Sequence, residues 1–131
     1  ERLGVEVLPM ELIDPRFYHL DTCFCPIAPG AAIYYPGAFD EYGLSVIADR
    51  IPRRIEVRPE EAVFFSCNAV VVGSNVVLNQ GAPRLAADLE RIGFKTHALD
   101  LSEFIKSGGS AKCLTLRIDG EEAAAWKDPA P

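Results

Sequence analysis

Residues 62–101, AVFFSCNAVVVGSNVVLNQGAPRLAADLERIGFKTHALDL, read as strand, strand, helix, strand, and the same order stands immediately upstream. AVFFSCNAVVVG and NVVLN predict a hairpin joined at Gly73-Ser74-Asn75. GAPRLAADLERIGF predicts a helix with Pro83 in its first turn, Gly93 at its C-terminal cap, and Leu85, Leu89 and Ile92 as the buried stripe. KTHALDL closes the unit as a strand. Upstream, FYHLDTCFCPI alternates well enough for a strand with His19, Asp21, Cys23 and Cys25 on one face and Leu20, Thr22 and Phe24 on the other. AAIYYPG follows the APG turn as its hairpin partner, and FDEYGLSVIADRI places Leu44, Ile47, Ala48 and Ile51 at helical spacing behind Asp40 as N-cap, with Pro52 ending the helix. RRIEVR is the closing strand, and PEEA leads into the second unit. Two passes of one pattern within about 90 residues signal an internal repeat, in which each unit needs neighbours to cover its apolar face. Ahead of both, GVEVL predicts a short strand. The chain starts at Glu1 without Met or a preceding cap, so a chain end inside the fold is expected.

Composition narrows the class. A chain of 131 residues, 49% hydrophobic, is one domain's worth of globular protein. A net charge of −6 and a pI near 4.9 exclude the clustered Lys and Arg that nucleic acid binding requires. The longest apolar runs, such as AVVVG and CPIAPGAAIYY, fall far short of the ~20 residues of a membrane helix and carry Gly and Pro. The four cysteines, Cys23, Cys25, Cys67 and Cys113, are too sparse for a disulfide scaffold and read as reduced thiols in a cytoplasm. Cys23-x-Cys25 finds no second pair or histidine cluster at zinc spacing, so no metal and no cofactor are expected. On one strand face the two thiols serve as small apolar fillers. The acidic pairs Glu60-Glu61 and Glu121-Glu122 read as solvated faces.

Chemistry concentrates at residues 104–117, FIKSGGSAKCLTLR. Gly108 and Gly109 let the backbone approach a ligand closely, and LTLRI is expected to anchor the loop in a core. Cys113 behind them is either a buried structural thiol or a reachable nucleophile. A nucleophilic cysteine needs a base, because the thiolate is the reactive form. His19, with Asp21 two residues on, is the better placed of the two histidines; His97 in KTHALDL reads as a satisfied strand histidine. A carboxylate on an inward face, as Asp21 is expected to be, requires a partner or a cationic ligand. Asn68 either satisfies backbone groups at a strand crossing or lines the same site.

HLDT, SCNAVVV and SGGSAKCLTL, in this order and at these separations, resemble the guanidine-modifying superfamily. It comprises arginine deiminases, arginine dihydrolases, dimethylarginine dimethylaminohydrolases and glycine amidinotransferases on the pentein fold. The resemblance implies an α+β class, an α/β propeller of ββαβ units around a pseudo-fivefold axis, of which this chain holds about two. Residues 1–131 would form the C-terminal part of a single pentein domain, with units at about 17–60 and 61–105 and a nucleophile segment at 106–118. It also implies that His19 is the general acid/base and Cys113 the nucleophile. Asp21 would contact the substrate guanidinium, with Asn68, Gly108 and Gly109 lining the substrate. The family's remaining two carboxylates lie upstream in a half absent from these residues, so a complementary N-terminal half or a homo-oligomer is expected.

The implied function is hydrolysis of a guanidino C–N bond, in arginine or a related guanidine, through a covalent cysteine amidino-thioether. HLDTCFCP followed by YYPGAFD looks closest to the arginine dihydrolase and amidinotransferase-like branch, and an H-x-D acid favours an unmethylated guanidine. Two alternatives stand beside it. One is an amidinotransferase handing the amidino group to an amine; the other is a non-catalytic half-pentein acting as a structural or binding module.

Overall fold

A computed structural model describes Gly4 and residues 6–116. Two three-stranded sheets of identical topology make up the fold. In the first, β1 (Phe24–Ala28) pairs antiparallel with β2 (Ala31–Tyr34), which pairs in parallel with β3 (Arg53–Glu56) across the helix α2 (Glu41–Arg50). The second repeats this order with β4 (Val70–Val72), β5 (Asn75–Asn79), α4 (Pro83–Arg91) and β6 (Lys95–Leu99). The central strands carry the burial. All of β2 is buried, whereas the edge strand β3 is largely exposed, as Arg-Arg at its start requires. Short helical turns α1 (Leu20–Cys23), α3 (Pro59–Ala62) and α5 (Ser102–Ile105) connect these units and the C-terminal loop.

Local chemistry explains both long helices. Asp40 Oδ1 accepts from the N–H of Gly43 at 2.7 Å and caps α2. α4 has Ala82 at its N-cap and therefore no cap of its own. Glu61 supplies it from α3, with its carboxylate accepting from the N–H groups of Arg84 at 2.8 Å and Leu85 at 3.1 Å. At the other end, Gly93 takes φ +97°, and the N–H groups of Gly93 and Phe94 bond to the carbonyls of Glu90 and Leu89, a Schellman closure. Leu85 and Leu89 are buried beneath it.

The two units share one core. Phe17 is buried and sits between them, its ring centroid 5.0 Å from Tyr35 and 5.9 Å from Phe65. The same buried cluster holds Ile27, Ile33, Phe39, Ile47, Leu78, Leu85 and Leu89. Phe17 thereby anchors the segment that follows it, Tyr18-His19-Leu20-Asp21.

Several sequence expectations are corrected. FYHLDTCFCPI is not one strand: His19 is extended, Leu20–Cys23 forms a helical turn, and the strand starts at Phe24. Thr22 causes the interruption, its hydroxyl donating to the His19 carbonyl at 2.6 Å while its N–H bonds the same oxygen at 3.0 Å. His19, Asp21, Cys23 and Cys25 consequently do not share a strand face. AVFFSCN is likewise not strand: Ala62 ends α3, and a run of turns follows, including Phe65 at φ +49°. Ile92 is 54% exposed, because the Schellman closure turns the chain away before it reaches the core. Glu61 is buried as the cap of α4, so only Glu60 of that acidic pair is solvated. In the described part of LTLRI, residues 114–116, no strand forms: Lys112–Leu114 is a single 3-10 turn, and Leu114 and Leu116 are exposed. Residues 6–8 of GVEVL form no strand. Val5, Arg117, Ile118 and the Glu121-Glu122 pair lie outside the described residues.

Candidate active site

Three segments distant in sequence converge on one cluster. The α1 turn brings Asp21, the turns before β4 bring Asn68, and the 3-10 turn brings Cys113. Cys113 Sγ is 3.5 Å from Asp21 Oδ2 and 3.2 Å from Asn68 Nδ2, and Nδ2 is 3.1 Å from Asp21 Oδ2. Asn68 Oδ1 accepts from the N–H groups of Ser110 at 3.1 Å and Cys113 at 3.2 Å, and the Asn68 carbonyl accepts from Lys112 N–H at 3.1 Å. One asparagine thus holds the turn that carries Cys113.

The glycines serve the close approach. A Cβ on Gly109 would stand 3.0 Å from Cys113 Cβ, so a side chain there would push the thiol aside. Gly108 has φ +85°, and its carbonyl accepts a hydrogen bond from the Tyr18 hydroxyl. Tyr18 also packs its ring against the His19 imidazole, with centroids 4.7 Å apart. His19 is exposed, and among the described residues Tyr18 alone relates it to the loop of Cys113, through the hydroxyl bond to Gly108. Its imidazole is outside the hydrogen-bonded group of Asp21, Asn68 and Cys113. His97 lies on β6, its Nε2 paired with Asn75 Oδ1 at 2.9 Å.

The four thiols separate cleanly by environment. Cys113 is exposed, whereas Cys23, Cys25 and Cys67 are buried. Burial disfavours the thiolate, pushing Cys25 up to about 11, Cys23 up to about 12, and Cys67 also well above its ordinary range. Those three remain neutral fillers, and one thiol is left for chemistry. A groove of about 190 Å³ opens beside the cluster, with Asp21 and Lys112 as its charged groups and Phe24, Cys25, Ala69 and Val71 among its apolar walls. Among the described residues no His, Cys, Asp or Glu group is arranged to hold a metal, and no helix is long and apolar enough to cross a membrane.

Tyr18, Ser110 and Lys112 escaped the sequence reading. Tyr18 stood beside a singled-out histidine, but its tie to Gly108 spans 90 positions and leaves no local signal.

No family model matches the chain. It is 50% identical over 118 residues to the bifunctional arginine dihydrolase/ornithine cyclodeaminase AgrE of Nostoc sp., covering 88% of this chain and 17% of that protein. It is 44% identical over 116 residues to the dimethylarginine dimethylaminohydrolase of Mycobacterium tuberculosis, covering 88% of this chain and 38% of that protein. Among solved structures, the product-bound N-terminal domain of the cyanobacterial arginine dihydrolase ArgZ superposes with a TM-score of 0.86 at 50% identity, over 90% of this chain and 44% of that one. Another structure of that domain is covalently bound to a reaction intermediate. The chain spans less than half the length of these relatives. Homology across nearly all of its residues, on a shared fold of repeated ββαβ units, places this chain in the guanidine-modifying, or pentein, superfamily.

Proposed function

We propose that this chain carries the nucleophile and one guanidinium-binding acid of a guanidine hydrolase acting on arginine or a close relative. The observation that carries the proposal is the meeting of the exposed Cys113 thiol with the Asp21 carboxylate at 3.5 Å, beside a groove with apolar walls. A guanidinium carbon is a poor electrophile because its charge is spread over three nitrogens. Catalysis must therefore fix the planar cation and bring a thiolate to its carbon.

Asp21 binds guanidinium N–H groups in the fork geometry these ions favour. The bound cation offsets the repulsion between carboxylate and ionised sulfur. Cys113 attacks the carbon, the C–N bond breaks, and His19 gives a proton to the departing amine. Water that His19 deprotonates then attacks the amidino-thioether, the C–S bond breaks, and a ureido product leaves with the thiol restored. A complementary set of units, in the same polypeptide or a second chain, supplies the partner acids, in keeping with the short span of this chain against its relatives. Free, reduced thiols suit a cytoplasmic setting.

The complete gene product should release citrulline from arginine, or ornithine where a second water hydrolyses the ureido group and frees carbon dioxide and a second ammonia, and acid quenching during turnover should trap arginine minus ammonia on Cys113. Cys113→Ser should abolish both while leaving the fold intact, since the side chain is exposed. Full activity in that variant would end the proposal. A product that appears only when an amine acceptor is added would assign the same intermediate to an amidinotransferase. A well-folded complete protein that neither turns over nor binds guanidines would leave the half-pentein binding module.

A further inference from the structure

Asn68 is fully buried, and both ends of its amide are engaged. Nδ2 faces Asp21 O at 3.1 Å, Asp21 Oδ2 at 3.1 Å and Cys113 Sγ at 3.2 Å. Oδ1 faces the N–H groups of Ser110 and Cys113. The orientation of the amide follows from these partners, because a carboxylate calls for the N–H₂ end and two backbone donors call for the oxygen. No polar atom is left to present to a ligand. The side chain stands behind the site and not on its wall.

We infer that Asn68 is a positioning residue for the chemistry proposed above: it sets the Asp21 carboxylate and the Cys113 sulfur relative to each other and directs an N–H donor at the sulfur. The reason is electrostatic and geometric. Asp21 on α1 and the sulfur repel once both are ionised, with Lys112 the cation at the same groove. A donor shared between the two acceptors offsets that repulsion without entering the substrate's space. The oxygen, by taking two N–H groups of the turn, fixes the backbone from which the thiol projects. A nucleophile misplaced by about 1 Å loses on the order of 10² in rate.

The test uses Asn68→Asp in the complete gene product, which keeps the shape and replaces the donor with an acceptor. With arginine as substrate, kcat should fall about 10²-fold while KM changes by less than about tenfold. Alkylation of Cys113 by iodoacetamide, read at its own peptide by mass spectrometry, should require higher pH than in the parent. Asn68→Ser, smaller and uncharged, should move both readouts in the same direction by less. Asn79→Asp is the control: Asn79 is also buried but bridges the Phe64 carbonyl and the Leu101 N–H, so its loss should lower stability and leave the alkylation profile alone. Folded Asn68 variants with the parent's kcat and alkylation profile would overturn the inference. Unfolding of both Asn68 variants would overturn it in favour of a purely structural role. A parent protein that never hydrolyses a guanidine, yet shows the Asn68-dependent alkylation profile, would sink the proposed function while supporting the Asn68–Cys113 link.

Discussion

The thiol of Cys113 lies 3.5 Å from Asp21 Oδ2, although 92 positions separate the two residues. A carboxylate that close repels a thiolate and attracts a cation. In the proposed mechanism the arriving cationic substrate relieves that repulsion.

Replacing Asp21 with Asn should raise KM and lower kcat together, because in the proposed mechanism its charge contacts the guanidinium before and during the reaction. Steady-state kinetics with arginine check this, and unchanged constants would remove Asp21 from the site.

His19→Ala should slow turnover by about 10² to 10⁴, the usual contribution of a general acid/base. His97→Ala should stay within a few-fold of the parent, since its Nε2 is paired with Asn75 at the β5–β6 seam. Rates in the reverse order would show that the base is misassigned.

Loss of the Glu61 carboxylate acts on the fold and not on the chemistry. Glu61→Ala leaves the N–H groups of Arg84 and Leu85 without their acceptor, and chemical denaturation should register a loss of about 1–3 kcal/mol. Below the shifted midpoint, kcat should match the parent.

The three buried thiols set an alkaline limit. Cys25 and Cys23 are raised from the ordinary 9.0 to about 11 and about 12, and Cys67 is raised too, all by burial. Their contribution to stability is therefore complete below pH 9.0, where both states keep the proton. Above that, the unfolded chain ionises and the folded one does not, so each thiol removes about 1.4 kcal/mol per pH unit until its folded value is reached. Denaturation midpoints taken at pH 8 and pH 10 should show the decline, and Cys25→Ala should flatten it. An equal slope in that variant would contradict the burial argument.

The repeat was legible because its signals are local. Asp40 caps α2 through a bond three residues long, Pro83 and Gly93 bound α4, and the hairpin at Gly73-Ser74 joins strands of matching character. The helical turn at Leu20–Cys23 was not legible, because an alternating pattern and a Thr22 hydroxyl bond to His19 favour different backbones, and only the packed structure chooses between them. Glu61 shows the same limit: beside Glu60 it looks solvated, and only the docking of α4 onto α3 makes it a cap.

The chain by itself determined the strand, strand, helix, strand order of its two units, since hydrophobic period, caps and turn residues act over a few positions, while guanidine chemistry was implied by the resemblance of HLDT, SCNAVVV and SGGSAKCLTL to a known family. Tertiary structure decided which of those residues meet. Asp21, Asn68 and Cys113 lie on three separate connections, and their contacts exist only because a shared core built around Phe17 brings both units together. It also decided which thiol is accessible, because exposure depends on packing by the whole fold: Cys113 is left at the surface while the other three are enclosed.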